Sequence, residues 1–312
     1  MTRPPRNRAA VLAATTALTA ALLAGCGNGN DEAQDPDPVG SSTSATPTDV
    51  PPDTSTPSES ASTTDQPADT VTVPVYFVGE TPQGPKLYRE FRKVQADNPL
   101  EEAAALVTAG DALDPDYRTL FTSNAITSID FSDGAGAIAV QLADDSWGPR
   151  PAGMTKRDAK LALQQLVYTL QGVQQSRVPV LFQVDADPVT VFGIDTAGGI
   201  KAAAPLDVLA LVNVTAPEEG ATVSGTFKAS GVASSFEATV PWEIRQGDSL
   251  GQVVKKGFST AEGWMDKLYP WETEVDVSDL APGTYSFVAM TDDPSGGEGG
   301  GPTEDSKTIT VE

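Results

Sequence analysis

Thr155-Lys156-Arg157-Asp158-Ala159-Lys160-Leu161-Ala162-Leu163-Gln164-Gln165-Leu166-Val167-Tyr168-Thr169-Leu170-Gln171-Gly172 is the stretch that decides the fold class. Thr155 to Asp158 open a helix, and Ala159, Ala162, Leu163, Leu166, Val167 and Leu170 then recur on one face at helical spacing. Gly172 is expected to close the helix. Val178–Val184 and Val189–Ile194 read as strands after it, with Asp185-Ala186-Asp187-Pro188 between them.

Upstream, Val71–Val78 reads as a strand whose Pro74 suits an edge position. Lys86–Val94 reads as a second strand after a Pro/Gly turn. Asn98-Pro99-Leu100-Glu101-Glu102 is a helix start with Pro at the first helical position and acids in the first turn. Gly110 is expected to end that helix. Ala125–Phe131 and Gly136–Leu142 read as a hairpin around Ser132-Asp133-Gly134. Strand pairs alternating with helices predict an α+β domain over 71–205.

From Asp207 to Glu312 the pattern changes to short apolar alternation broken by turns. Strands are expected near 208–215, 221–232, 237–246, 251–258, 269–277, 284–291 and 306–311. That density predicts an immunoglobulin-like β-sandwich over 207–312, built without a disulfide. Trp242 is expected in its core on a central strand. Leu280-Ala281-Pro282-Gly283-Thr284-Tyr285 is similar to a tyrosine corner.

The N-terminus has the layout of an export signal. Arg3, Arg6 and Arg8 precede an apolar run, Ala9–Leu23, too short for the roughly 20 residues that a membrane-spanning helix takes. Leu23-Ala24-Gly25-Cys26 resembles the lipobox of bacterial lipoproteins. The expectation is cleavage after Gly25, a signal peptide over 1–25 and a lipid on Cys26 that anchors the chain to the outer face of the cytoplasmic membrane. Residues 26–70 then form a spacer of Ser, Thr, Pro and acids without one base, too polar to fold alone.

Composition narrows the chemistry. The 312-residue chain has a formal charge of −23, 43 acidic against 20 basic residues. Such a balance argues against nucleic acid, whose phosphates demand Lys and Arg. There is no histidine, and Cys26 is the one cysteine. Serine–histidine and cysteine–histidine catalysis therefore lack their base, and histidine-ligated zinc or iron lacks its ligand. No catalytic residue, cofactor or metal site is assigned, and the chain reads as a non-enzymatic protein.

Four local features bear on chemistry. Asp144 and Asp145 beside Trp147 are the basis for an alternative reading, a cell-wall polymer binder or weak carboxylate hydrolase. A solvated loop whose Trp packs on the domain edge is the plainer account. Asp185 and Asp187 fit an Asx-type turn better than calcium. The acidic, Gly-rich run Asp292–Gly301 fits a long hairpin loop between the last two strands better than a weak calcium site. Lys255, Lys256 and Lys267, with Trp264, Tyr269 and Trp271, form a candidate partner patch, set against a reading in which Trp271 is core.

Val73–Val78, Asn98–Ala103, and Gln165–Leu170 followed by Val180–Asp185 resemble the GerMN domain of sporulation and spore-germination lipoproteins. Ala216–Val223, Phe236-Glu237-Ala238 and Pro282-Gly283-Thr284-Tyr285 resemble the immunoglobulin-like domain found after it. The resemblance implies an extracytoplasmic, non-enzymatic binding or assembly lipoprotein, with an envelope protein or a second copy of the chain as partner. It departs at Gly110-Asp111-Ala112-Leu113-Asp114-Pro115, where relatives tend to have a Gly-Pro turn, so the shape of that loop is left open.

Overall fold

The computed structural model describes residues 69–312 apart from 133, 135, 294, 295 and 299. Leu23, Ala24, Gly25 and Cys26, with the expected spacer up to residue 68, lie outside the described residues.

The chain enters on a hairpin, β1 (Thr70–Gly79) and β2 (Lys86–Gln95), paired without a bulge from Thr70↔Gln95 to Gly79↔Lys86. Helix α1 (Pro99–Ala109) follows, with Pro99 in its first turn and Gly110 ending it at φ 71. Its two early acids do more than face the dipole. Glu102 accepts from the Gln95 amide at 2.7 Å and Glu101 from the Ile129 amide at 2.9 Å. The second is a cross-link to β3 (Ile126–Ser132), which pairs antiparallel with β4 (Ala137–Leu142).

Helix α2 (Lys156–Gln174) is the spine of the domain. A reciprocal cap starts it: the Asp158 amide donates to Thr155 Oγ1 at 3.1 Å, and the Thr155 amide donates to Asp158 Oδ2 at 3.0 Å. All six residues expected on its apolar face are buried. It carries the chain across from β4 to β5 (Val180–Val184), which pair in parallel and need such a crossover. Its buried polar residues cover an open sheet edge. Tyr76 in β1 donates its amide to Thr169 Oγ1 at 3.0 Å, and the Tyr76 carbonyl accepts from Gln165 Nε2 at 3.3 Å. Both groups would otherwise be an exposed template for pairing.

Three boundaries differ from expectation here. Gly172 does not close α2; the helix runs to Gln174 and ends at Gln175 in the left-handed region. Gly172 serves packing instead, since a Cβ there would lie 2.6 Å from Pro74 Cγ on β1. Val178 and Pro179 precede β5 rather than belong to it. Val189–Ile194 is not one strand: β6 (Asp187–Pro188) completes the sheet β3-β4-β5-β6, and β7 (Thr190–Val191) and β8 (Ile194–Asp195) make a separate miniature hairpin. Phe192 and Gly193, both at positive φ, turn it.

A single helical turn, α3 (Pro205–Val208), leads to the second domain, and the strand expected near 208–215 begins only at Val212. Two sheets then face each other. One holds β14 (Tyr269–Asp276), β11 (Thr226–Ala233) and β9 (Val212–Ala216) in that order. The other runs β10 (Ala221–Val223), β16 (Glu304–Val311), β15 (Gly283–Met290), β12 (Thr239–Gln246) and β13 (Val253–Thr260). The expected strand 221–232 is two, split at Gly225 with φ 59. Phe236–Ala238 form a 3-10 turn before β12 rather than its beginning.

Val212, Val240, Ile244, Val275, Phe287 and Ile309 fill the space between the sheets, and Trp271 joins them. Trp242 packs against this core from β12, half-buried, opposite Gly257 on β13. The tyrosine corner is present: Tyr285 donates its hydroxyl to the Ala281 carbonyl at 2.9 Å. The chain is thus an α+β domain followed by an immunoglobulin-like β-sandwich.

Gly172→Ala is expected to destabilise the chain by about 1–3 kcal/mol, because the Pro74 ring cannot rotate out of the way of the added methyl. Urea unfolding, with an unchanged slope and a lower midpoint, checks this.

Candidate functional site

The two domains meet over a small set of buried charges. Strand alternation on β16 puts Asp305, Lys307, Ile309 and Val311 on one face, and all four are buried. Ile309 and Val311 enter the sandwich core; Asp305 and Lys307 reach the end of the sandwich beside the first domain. There the loop after α1 brings up Asp114 and Tyr117. Lys307 Nζ donates to Asp114 Oδ2 at 2.5 Å, Tyr117 Oη at 2.8 Å and Asp305 Oδ1 at 3.0 Å. Tyr117 in turn donates to Asp305 Oδ1 at 2.6 Å. Asp305 Oδ2 accepts from Asn213 Nδ2 at 2.9 Å and the Val214 amide at 2.5 Å.

That loop has its shape because of Glu90. The Glu90 carboxylate, buried on β2, accepts the amides of Leu113 at 3.0 Å and Asp114 at 2.9 Å. Asp114 Oδ1 accepts the Asp116 amide at 2.9 Å, which leaves Oδ2 for the lysine. Around the charges, Tyr88 stacks on Tyr117 with ring centres 5.0 Å apart and donates to the Glu304 carbonyl at 2.9 Å. Ser306 donates to Asp116 at 3.1 Å, and Ala210 donates its amide to the Leu87 carbonyl at 2.9 Å.

The Lys307 ammonium is fully satisfied within the cluster. An ammonium has three N–H donors, and all three are engaged. Burial works against the Lys307 charge, but Asp305 and Asp114 outweigh it and hold its pKa above the ordinary lysine value. For Asp114 burial wins: it pushes the carboxyl up to about 6, although Lys307 pulls it down. Burial first, then the charges of Asp305 and Asp114, put the Tyr117 phenol well above its ordinary range. With every Lys307 donor engaged by groups from both domains, the cluster acts as a joint between them.

The features singled out in the sequence lie elsewhere, and they do not come together. Trp147 is only 2% exposed and packs against Phe121 at 4.8 Å and Phe192 at 6.0 Å. It lies in the core, not on the domain edge, and no face of its ring is offered to a sugar. Asp144 and Asp145 are exposed, and Asp144 caps a turn through the Ser146 amide at 2.9 Å. Asp185 sits at φ 49 in the tight turn between β5 and β6, with Asp187 opening β6. In the run Asp292–Gly301, Asp293 accepts the Gly297 amide at 2.7 Å. Lys255 pairs with Asp279 at 2.5 Å, Lys267 lies 4.7 Å above the Tyr269 ring, Trp264 is exposed and Trp271 is core. Among the described residues no three or more Asp, Glu, Cys or His side chains gather as a metal site.

Sequence reasoning missed Lys307, Asp305, Tyr117 and Glu90. A signal was there: Asp305 and Lys307 hold the same period-2 register as Ile309 and Val311, the register of an inward face.

An α+β module seated on an immunoglobulin-like sandwich through a buried polar joint defines a class of two-domain protein. Residues 74–190 match the family described as sporulation and spore germination, and residues 211–298 match the immunoglobulin-like domain of bacterial spore germination. The chain joins a domain of the sporulation and spore germination family to the immunoglobulin-like domain of the same setting. Among solved structures it is similar to the tandem GerMN domains of the sporulation protein GerM from Bacillus subtilis, with 14% identity over 46% of this chain, 50% of that one and a TM-score of 0.35. It is also similar to an endo-beta-1,4-mannanase from Thermotoga petrophila, with 12% identity over 53% of this chain, 37% of that one and a TM-score of 0.26. The chain spans half or less of the length of these two proteins, and no property of either is carried over. No curated protein matches the chain.

Two outcomes follow from the joint. Lys307→Met leaves Asp114 and Asp305 buried without a counter-ion and is expected to cost about 3–5 kcal/mol in denaturant unfolding. Asp114 binds its proton more tightly folded (about 6) than unfolded (3.8), so it makes stability fall as pH rises from about 4 to 6. Asp114→Asn should flatten that part of the stability–pH profile measured by urea unfolding.

Proposed function

We propose that this chain is a lipid-anchored assembly protein of the bacterial envelope, extracytoplasmic and non-enzymatic, whose two domains act as one rigid platform for a protein partner. The observation that carries this is the joint at Lys307. Two domains on a loose tether would bind partners separately; domains joined by a shared buried charge network offer one composite surface. The match of both domains to sporulation and spore-germination families supports a role at the bacterial envelope. The Leu23-Ala24-Gly25-Cys26 motif supports anchoring on the outer face of the cytoplasmic membrane, and the acidic spacer would hold the platform off that surface. Trp147 in the core removes the aromatic on which the wall-polymer alternative depended.

Cys26→Ala should abolish labelling of the chain by a palmitate analogue and move it from the membrane pellet to the soluble extracytoplasmic fraction. Retention of the unlabelled variant in the pellet would refute anchoring. Crosslinked envelopes should yield a protein partner that is recovered with the full chain and lost with Lys307→Met. Turnover of a wall substrate abolished by a single carboxylate substitution would refute the non-enzymatic reading.

A further inference from the structure

Along the first half of α2, at the margin of its buried face, lies a hollow of about 800 Å³. Pro85, Leu161, Leu163, Ile194, Ile200 and Val208 line its apolar part. Lys156, Arg157, Lys160 and Lys201 line it as well, against one carboxylate, Asp207. Its far wall is the extended segment 199–204, tied to the helix rather than merely lying beside it. Gln164 Oε1 accepts the Ala203 amide at 2.8 Å, Gln164 Nε2 donates to the Lys201 carbonyl at 3.1 Å, and Tyr168 donates to the Ala203 carbonyl at 2.6 Å. A second hollow, of about 430 Å³, shares Lys201 and Ala203 with the first and adds Arg177.

The charge here is not explained by the fold. Lys156 and Arg157 stand in the first turn of α2, where the helix dipole is already positive and acids are the stabilising choice. Among the described residues, Lys156, Lys160 and Lys201 form no ion pair. Arg157 is held by the Gln83 carbonyl at 3.0 Å, without a carboxylate bonded to it. Lys86, behind the wall, donates to the Asp207 carbonyl at 2.6 Å. Burial, and next the Arg157 charge, lower its pKa. A chain of formal charge −23 has thus gathered unpaired cations around one apolar cavity. Pockets of this volume take small ligands, and one-signed rims draw the opposite charge.

We propose that this cavity binds a single-chain anionic amphiphile, its alkyl chain on the apolar floor and its phosphate or carboxylate head on Lys156, Arg157, Lys160 and Lys201. A bare anion would leave the floor unused; a neutral lipid would leave the cations unpaired. The site stands independently of the anchoring and platform readings.

The test is calorimetric titration of the full chain, carrying Cys26→Ala so that no lipid of its own competes. The probes are dodecyl phosphate below its aggregation threshold, dodecyl maltoside and inorganic phosphate. Saturable one-to-one binding of dodecyl phosphate is expected, at least tenfold tighter than either comparison probe. Lys156→Glu, Lys160→Glu and Lys201→Glu together should weaken it at least tenfold. All three side chains are exposed and Lys156→Glu suits the helix dipole, so the thermal midpoint should not fall. Equal affinity for dodecyl maltoside makes the cations irrelevant and overturns the proposal. Equal affinity for inorganic phosphate makes the floor irrelevant, with the same consequence. Tenfold tighter binding after deletion of residues 27–68 would assign the groove to that acidic segment instead.

Discussion

One buried ammonium group stands at the centre of the contact between the two described domains. Lys307 contacts Asp114 and Tyr117 of the first domain and Asp305 on its own strand, and every donor it has is engaged. A lysine so buried is tolerated only because two carboxylates and a phenol replace the water it gave up. The carboxylates depend on it equally, since Asp114 and Asp305 sit close together with that one cation between them. Neither domain contains the complete arrangement. Each presents half of a charge network whose exposure would have no structural use, and this makes the junction specific as well as tight.

The dependence runs outward from there. Asp114 can reach Lys307 because Glu90 fixes the amides of Leu113 and of Asp114 itself, and Glu90 is placed by the unbroken register of β1 and β2. That hairpin keeps its free edge covered because Gln165 and Thr169 of α2 satisfy Tyr76. The helix comes close enough to do so because residue 172 is glycine beside Pro74. A packing detail on one side of the first domain is therefore linked, through the hairpin, to the joint with the second.

The same helix has two roles. Its inner face is the core stripe from Ala159 to Leu170, and the cationic hollow lies along the margin of that face, where Leu161 and Leu163 line it beside Lys156, Arg157 and Lys160. The acids that dominate the composition are used elsewhere as local fasteners: Glu101 and Glu102 on backbone amides, Asp144 in a turn and Asp158 in a cap. The large negative charge is thus mostly a surface property, and it leaves this margin of α2 as an exception.

Much of this was legible in the residues alone, where the information is local. The apolar period of α2, the glycine ending α1, the alternation after Asp207 and the tyrosine at 285 each depend on neighbours a few positions away, and periodicity reports those directly. The resemblance of two segments to germination-type domains came from equally local strings. Boundaries failed where a long-range contact overruled the local pattern. Gly172 reads as a stop but is a point of close approach, Val189–Ile194 reads as a strand but turns at Phe192, and Trp147 reads as an edge residue but fills the core. The joint was beyond reach for the same reason in stronger form. Lys307 and Asp114 are 193 positions apart, and in a linear reading each is an ordinary charged residue bound for water. The sequence by itself determined the two folds and their order, through patterns that local geometry must satisfy. The tertiary structure alone decided that the domains share one buried charge network, because only in three dimensions does desolvation force distant ions to find each other.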